Sequence, residues 1–242
     1  MAEDPHALRT VVVVAGGVPW PDPAPGIDAV AVVAADSGVQ HARQRGLRVD
    51  VAVGDMDSVD PTDLAAVEAA GAVVERHPPT KDASDLELAL ERALALDPER
   101  IVVLGGPAGR LDHLLVGTLA LAAPALAGVV VEAHLGPARL HVVRPGPATA
   151  LVGPAGATVT LVPVHGPARG VRTAGLRYPL AGEDLPEGTT RGLSNELVGT
   201  TGAVELDGGV LLALLPGPDP IGPDHPPTPT HPPTPTHPRS EP

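Results

Sequence analysis

Hydrophobic residues in this chain gather into short runs, and the segments between those runs carry apolar residues at helical spacing. Runs rich in Val and Ala at residues 10–15, 29–34, 49–53, 72–75, 100–104 and 129–132 predict strands. The intervening segments 38–45, 61–70, 83–96 and 112–122 predict helices. Asp60 followed by Pro61 marks a helix start, with a capping side chain and then proline in the first turn. In the third helix Leu86, Leu90, Ala93 and Leu94 share one face. Near-continuous apolar strands alternating with helices predict an α/β fold, a doubly wound and mostly parallel sheet with helices on both faces.

Past residue 145 the pattern changes. Runs at 157–164, 170–173, 203–206 and 210–215 alternate with turns containing Gly and Pro, and helical spacing disappears. This predicts a small C-terminal all-β, sandwich-like domain. The expected divisions are 1–145 for the α/β domain, 146–217 for the β domain and 218–242 for a tail. The tail repeats His-Pro-Pro-Thr-Pro-Thr from His225 and again from His231. Such a Pro-rich segment buries no core and is expected to be extended and disordered. In a polyproline helix, at ~3.1 Å per residue, successive tail histidines stand about 19 Å apart, too far to share an ion.

Two further patterns bear on location. The uncharged stretch 114–131 approaches membrane-spanning length, but Pro124 and Gly128 interrupt it, so it reads as a buried helix followed by a strand. The apolar run after the acidic N-terminal residues is too short for a secretory signal, and a cytoplasmic location is expected.

Charge and composition narrow the chemistry. With 29 acidic residues against 16 basic ones the net charge is −13, which disfavours nucleic acid and anionic membrane surfaces as partners. The absence of Cys excludes disulfides, thiolate metal sites and cysteine nucleophiles. There is no Phe, and Trp20 and Tyr178 are the only large aromatics, so core and pockets are aliphatic. All the basic residues are Arg except one, Lys81.

The aspartates carry the candidate chemistry. Asp36 follows the second expected strand, Asp55 and Asp57 the third, Asp82 and Asp85 the fourth, and Asp112 the fifth. In a parallel sheet these positions share the carboxyl edge, where open α/β folds bind ligands. Each has a plain structural reading as well. In Gly54-Asp55-Met56-Asp57-Ser58 the two acids, on extended backbone, would point to one side with Cα atoms about 6.5 Å apart, but for Asp-x-Asp alone a solvated turn is the favoured account. Asp82 and Asp85 resemble a helix cap with its partner acid, Asp112 could cap the helix after Gly105–Arg110, and Asp36 could simply end a strand. Taken together, crowded carboxylates repel and call for a cation. Mg²⁺ takes oxygen ligands and keeps substrate phosphates in its shell. Lys81 and Arg110 lie at the same edge, suited to phosphate as a point charge and a bidentate fork respectively, and the Gly-rich turn before Arg110 could bring backbone N–H groups to an anion. No Walker motif, no G-x-G-x-x-G, no nucleophile elbow around Ser37 or Ser194 and no zinc-type histidine spacing compete with this reading.

At these residues the sequence resembles the thiamine pyrophosphokinase (thiamine diphosphokinase) family. The matching segments are Ala35-Asp36-Ser37-Gly38, Gly54–Ser58, Lys81-Asp82-Ala83-Ser84-Asp85-Leu86, Gly109-Arg110-Leu111-Asp112-His113 and Thr190-Arg191-Gly192-Leu193-Ser194-Asn195-Glu196. The resemblance implies an α/β nucleotide-binding domain followed by a β-sandwich. It also implies a homodimer with the acceptor site near its interface, and transfer of diphosphate from ATP to thiamine with release of AMP. Carried over by motif, Asp55, Asp57 and Asp85 would hold Mg²⁺ and the transferring group, with Asp112 assisting catalysis. Asp36, Lys81, Asp82, Ser84 and Arg110 would bind ATP and its phosphates, and Arg191, Ser194 and Asn195 would contribute to the thiamine site. Ser37 and Gly117 depart from the family pattern, which usually has Gly at the first and Asn at the second. Three other readings stay open on sequence alone: a pyrophosphokinase for another alcohol such as a pterin, a metal-dependent sugar-nucleotide transferase, and a non-catalytic nucleotide- or thiamine-binding module.

Overall fold

The computed structural model describes residues 8–17, 27–106 and 110–217. The Pro-rich tail, Trp20 and residues 107–109 of the Gly-rich turn lie outside the described residues. The α/β part runs β1 (Thr10–Gly17), β2 (Ala31–Ala35), α1 (Gly38–Gln44), β3 (Val51–Gly54), α2 (Pro61–Ala69), β4 (Val73–Arg76), α3 (Asp85–Leu94), β5 (Arg100–Gly106), α4 (Leu111–Ala120) and β6 (Val130–Leu135). These six strands pair in parallel in the order β4-β3-β2-β1-β5-β6. The chain steps outward from β1 to β4, returns over the sheet through α3, and resumes on the other side at β5. The reversal between β1 and β5 is the crevice where doubly wound sheets bind ligands.

Strand periodicity explains why the sheet is covered on both faces. Val11, Val13, Val33, Val51, Val53, Ile101 and Val103 point to one side and pack with Ala89, Leu90 and Ala93 of α3. Their neighbours Val12, Val14, Val32, Ala52, Val102 and Leu104 point to the other and pack with Val39 and Ala42 of α1 and Val67 of α2. Each fully buried Val contributes about 2 kcal/mol of transfer free energy. Helix starts follow local chemistry. Asp60 caps α2 by accepting from the Thr62 N–H at 2.7 Å, with Pro61 in the first turn. At α3 the cap is Ser84, whose hydroxyl accepts from the Glu87 N–H at 3.2 Å. Asp82, expected as the cap, lies outside the helix, and Ser84 takes its place as the N-cap.

An antiparallel set follows: β7 (Ala138–Val143), β8 (Thr149–Val152), β9 (Thr158–Ala174), β10 (Ala181–Leu185), β11 (Asn195–Glu196), β12 (Thr201–Glu205) and β13 (Gly208–Leu215). β7 pairs with β6, β13 with β7, and β9 with β13. The two expected strands 157–164 and 170–173 are one strand, β9, that turns a corner. Its first half pairs with β13 and its second with β10 and β12. The corner lies at His165 (φ 57°) and Gly166 (φ 127°), where the register with β13 slips. β13 faces both interiors: Leu212 joins the α/β core, while Leu211, Ala213 and Leu215 join a second core with Leu151, Leu161, Val171, Leu197 and Val204.

One expected feature is corrected. α4 was read as buried, yet none of its residues is, and Leu111, Leu115 and Val116 are 75%, 57% and 62% exposed. An apolar sequence fixes what a helix can bury, while topology decides whether anything covers it. Among the described residues no helix is long and apolar enough to cross a membrane.

Candidate active site

The carboxyl ends of β1, β2 and β3 and the starts of α3 and α4 surround a cleft of ≈ 890 Å³. Asp36, Asp55, Lys81, Asp82, Ser84, Asp85, Arg110 and Asp112 line its polar side, and Val103, Leu114, Leu121 and Leu135 are among its apolar lining residues. Of the aspartates expected at this edge from their positions after strands, all but Asp57 line the cleft.

Local backbone produces that convergence. Asp36 leaves β2 in the left-handed region (φ 45°), with its N–H held by the Val53 carbonyl at 3.0 Å. Met56 is also left-handed (φ 62°), so Asp55 and Asp57 sit on a turn and not on the extended backbone expected from sequence. The turn is fixed by the Asp57 N–H, which donates to Asp55 Oδ1 at 3.3 Å. Non-glycine residues in this conformation cost strain and cluster at functional sites. At Gly54 (φ 146°) a Cβ would stand 2.9 Å from Asp85 Oδ1 and 3.2 Å from Asp36 Cβ, so glycine there lets these acids approach one another.

One oxygen each of Asp36, Asp55 and Asp57 lies within 4.8 Å of the others. The Ser58 hydroxyl donates to Asp36 Oδ2, while Asp36 Oδ1 is buried without a hydrogen-bond partner among the described residues. Asp85, which the family resemblance groups with Asp55 and Asp57, lies beside Lys81. The ammonium sits 2.8 Å from Asp85 Oδ1 and 3.3 Å from Asp55 Oδ2. Electrostatics follow the contacts. The charge of Asp55 is the main influence raising the pKa of Asp57, with burial and Asp36 adding to it. Asp55 is lowered, first by the Asp57 N–H and against its own burial, with Lys81 helping. Lys81 is raised chiefly because Asp85 accepts from it.

On the opposite rim Arg110 holds Asp112 in a fork, Nε to Oδ1 at 3.2 Å and Nη2 to Oδ2 at 2.6 Å. That pairing brings Asp112 down to about 2. Both side chains are exposed, so the guanidinium can exchange its partner for a phosphate. Ser84, occupied as a cap through its oxygen, keeps its hydroxyl proton for donation.

Arg191 and Ser194 lie elsewhere, on the loop into β11, which Asn195 opens, and none of the three lines the cleft. Ser194 is left-handed (φ 56°) and its N–H donates to Thr160 Oγ1 at 3.2 Å. Gly192 is pressed so close to β9 that a Cβ would meet the Leu161 carbonyl at 2.2 Å. Asn195, 7% exposed, is consumed by backbone: it accepts from the Tyr178 N–H at 3.0 Å and donates to the Tyr178 carbonyl at 2.7 Å. Its amide thus fastens two loops together, where the sequence suggested a ligand contact. Tyr178 is exposed with Arg177 5.7 Å from its ring centroid. Sequence reasoning missed the parts played by Ser58, Thr160 and Tyr178. Ser58, inside the Gly54–Ser58 motif, was the one with a local signal.

Comparison with known proteins identifies the family. Residues 27–126 match the family model "Thiamin pyrophosphokinase, catalytic domain", and residues 144–211 match "Thiamin pyrophosphokinase, vitamin B1 binding domain". A thiamine pyrophosphokinase of Bacillus subtilis (strain 168) is 25% identical over 182 residues, covering 75% of this chain and 85% of the relative. A crystal structure of the Bacillus subtilis thiamine pyrophosphokinase superposes with a TM-score of 0.76 at 24% identity, over 87% of this chain and 100% of that one. The thiamin pyrophosphokinase of Geobacillus thermodenitrificans superposes at 0.72 with 27% identity, over 88% and 99%. With both family models matched in chain order across the sheet and the β-rich part that follows it, the chain belongs to the thiamin pyrophosphokinase family.

Proposed function

We propose that the cleft transfers the terminal diphosphate of ATP to the hydroxyethyl oxygen of thiamine, yielding thiamine diphosphate and AMP. One observation carries this reading: of the three carboxylates whose oxygens lie within 4.8 Å of one another, Asp36 and Asp55 line the same cleft as Lys81 and Arg110. Acids alone describe a cation site and bases alone an anion site, whereas both together suit a cation–polyphosphate complex.

The residues fit Mg²⁺, with Asp36, Asp55 and Asp57 as the side chains that would hold it. The donor set is all oxygen, and the buried Asp36 Oδ1 has no other partner among the described residues. When bound, such an ion neutralises charge on the phosphates and on the departing phosphate oxygen. The protein's own residues do the rest. Lys81, anchored on two aspartates, holds positive charge at the inner wall. Arg110, at the start of α4, offers its planar fork to phosphate oxygens. The thiamine hydroxyl oxygen forms a bond to the β-phosphorus, the bond from that phosphorus to the α-phosphate oxygen breaks to release AMP, and the hydroxyl proton passes to solvent water. Asp112, with both oxygens on Arg110 and a pKa of about 2, is a poor acceptor for that proton and serves to aim Arg110. Catalysis then rests on positioning and charge, as phosphoryl transfer requires.

The acceptor end is built from the 146–217 unit, with Arg191 and Ser194 exposed on its surface and Asn195 fixing their loop. Since these residues do not line the cleft of their own chain, and the apolar side of α4 beside the cleft is uncovered, we place a homodimer here, with α4 at its interface. A cytoplasmic setting supplies the ATP this reaction uses. The test is incubation of the purified chain with ATP, Mg²⁺ and thiamine, following AMP and thiamine diphosphate. Both products are expected in equal amounts, and neither when Mg²⁺ is removed. Product with a pterin alcohol but none with thiamine overturns the acceptor assignment.

A further inference from the structure

Resting on that reading of the cleft, we propose that Arg144 and His165 are positioning residues for the transfer, which hold the carbonyl end of α4 and so aim Arg110, at its other end, toward the phosphates of the nucleotide. Both belong to the stretch 144–211 that matches the vitamin B1 binding model, whereas α4 lies in the part that matches the catalytic one. Arg144 follows β7, and its Nη2 donates to the Ala122 carbonyl at 2.8 Å and to the Ala123 carbonyl at 3.0 Å. His165 reaches α4 from the corner of β9, with its Nε2 3.3 Å from the Leu119 carbonyl. A carbonyl oxygen only accepts, so this ring nitrogen carries the proton. Two donors from separate strands thus meet on the last turn of α4 and the residues just past it.

The packing of α4 makes that hold decisive. None of its residues from Leu111 to Ala120 is buried. Its contacts gather at the carbonyl end, where Leu119 leans on the α/β core and Leu121 and Ala122 enter it. The helix is therefore an arm about 15 Å long, and a tilt of about 4° around its held end moves Arg110 by about 1 Å. A misplacement of that size in a group that orients substrate can cost ~100-fold. Arg144 is suited to this end of a helix. Burial is the influence on its pKa, which it lowers, and no carboxylate pairs with it among the described residues. Its Nε is buried without a partner among those residues as well. The charge is thus spent on helix carbonyls, the negative end of the macrodipole, where a cation is stabilised.

The test is binding of α,β-methylene-ATP with Mg²⁺ to the full chain, measured by titration calorimetry, since this analogue cannot break at the reacting bridge. Arg144→Met, which removes the donors and keeps an apolar stem, and Arg110→Ala are each expected to weaken binding about tenfold, as when a charged hydrogen bond is lost. The double variant is expected to bind no more weakly than Arg110→Ala, because Arg144 acts through Arg110. Arg144→Lys keeps a donor for the same carbonyls and is expected to restore binding. His165→Gly, a residue suited to the left-handed backbone there, is expected to weaken binding by less than Arg144→Met. Unfolding temperatures establish that the variants fold. Wild-type affinity in Arg144→Met or in His165→Gly overturns the proposal. Losses that add in the double variant overturn it too, by marking Arg144 as a contributor to the fold alone. So does unchanged binding in Arg110→Ala, or none in the wild type. The expected pattern of affinities without formation of thiamine diphosphate leaves the positioning role standing and overturns the proposed reaction.

Discussion

Asp57 shows how much one side chain can reveal. It is the exposed member of the acidic trio, and the charge of Asp55 works against its ionisation. A divalent ion removes that penalty, so Asp57 matters through the ion more than through the fold. Asp57→Asn is expected to lower turnover at least ~100-fold, the loss typical when a single charge-stabilising contact disappears, while thermal stability stays unchanged or rises. Measured kcat and unfolding temperature check both parts, and near-normal turnover would remove Asp57 from the cation site. Asp36 belongs in the same test. Its place after a strand was legible in sequence, but its membership of the trio in preference to Asp85 was not. That grouping depends on the left-handed turns at Asp36 and Met56 and on how closely the loops approach Gly54.

Among the elements, α3 contributes most to the site, since its first turn supplies Ser84 and Asp85 and the segment before it supplies Lys81. Its apolar face packs Ala89, Leu90 and Ala93 on the sheet, and its start is set by Ser84. Ser84→Ala removes that cap and should cost about 1 kcal/mol, or about 2–4 °C in unfolding temperature for a chain of this size, read by calorimetry. Turnover should fall as well, because fraying of the first turn loosens Asp85 and with it Lys81. Helices and parallel strands were legible because their apolar residues repeat locally. β7, β8, β10 and β11 were not, because their burial is sparse or broken, as in β10, where only Leu185 is buried. The corner in β9 was equally hidden, since it reflects which neighbour each half of the strand finds.

For the whole molecule the seam between parallel and antiparallel strands carries charge. Glu132 of β6 lies opposite His141 of β7 and accepts from His134 and Arg100. Burial alone would raise its pKa from 4.5, but those two donors outweigh it and bring Glu132 to about 2. The unfolded chain therefore binds this proton first as the medium is acidified. The stabilisation is complete above about pH 4.5 and is lost as pH falls toward 2. Urea midpoints of the wild type should decline over this window more steeply than those of Glu132→Gln, which starts lower at neutral pH. At the same scale the uncovered side of α4 predicts assembly. Light scattering should give a dimer for the wild type, and a monomer with weakened thiamine turnover for Leu115→Asp, whose position is 57% exposed. A monomer that turns over normally would separate the acceptor site from the interface.

Local sequence was enough to set the alternation of strands and helices, the parallel character of the first six strands, and the placing of acids and bases after strands. Each of these is written in short-range periodicity and in loop chemistry, and the ordered motifs carried the family. The tertiary structure alone decided which aspartates meet, that Lys81 lies between two of them, that Asn195 serves backbone, and that α4 is left uncovered. Those outcomes depend on distances between segments far apart in the chain, which no local pattern encodes.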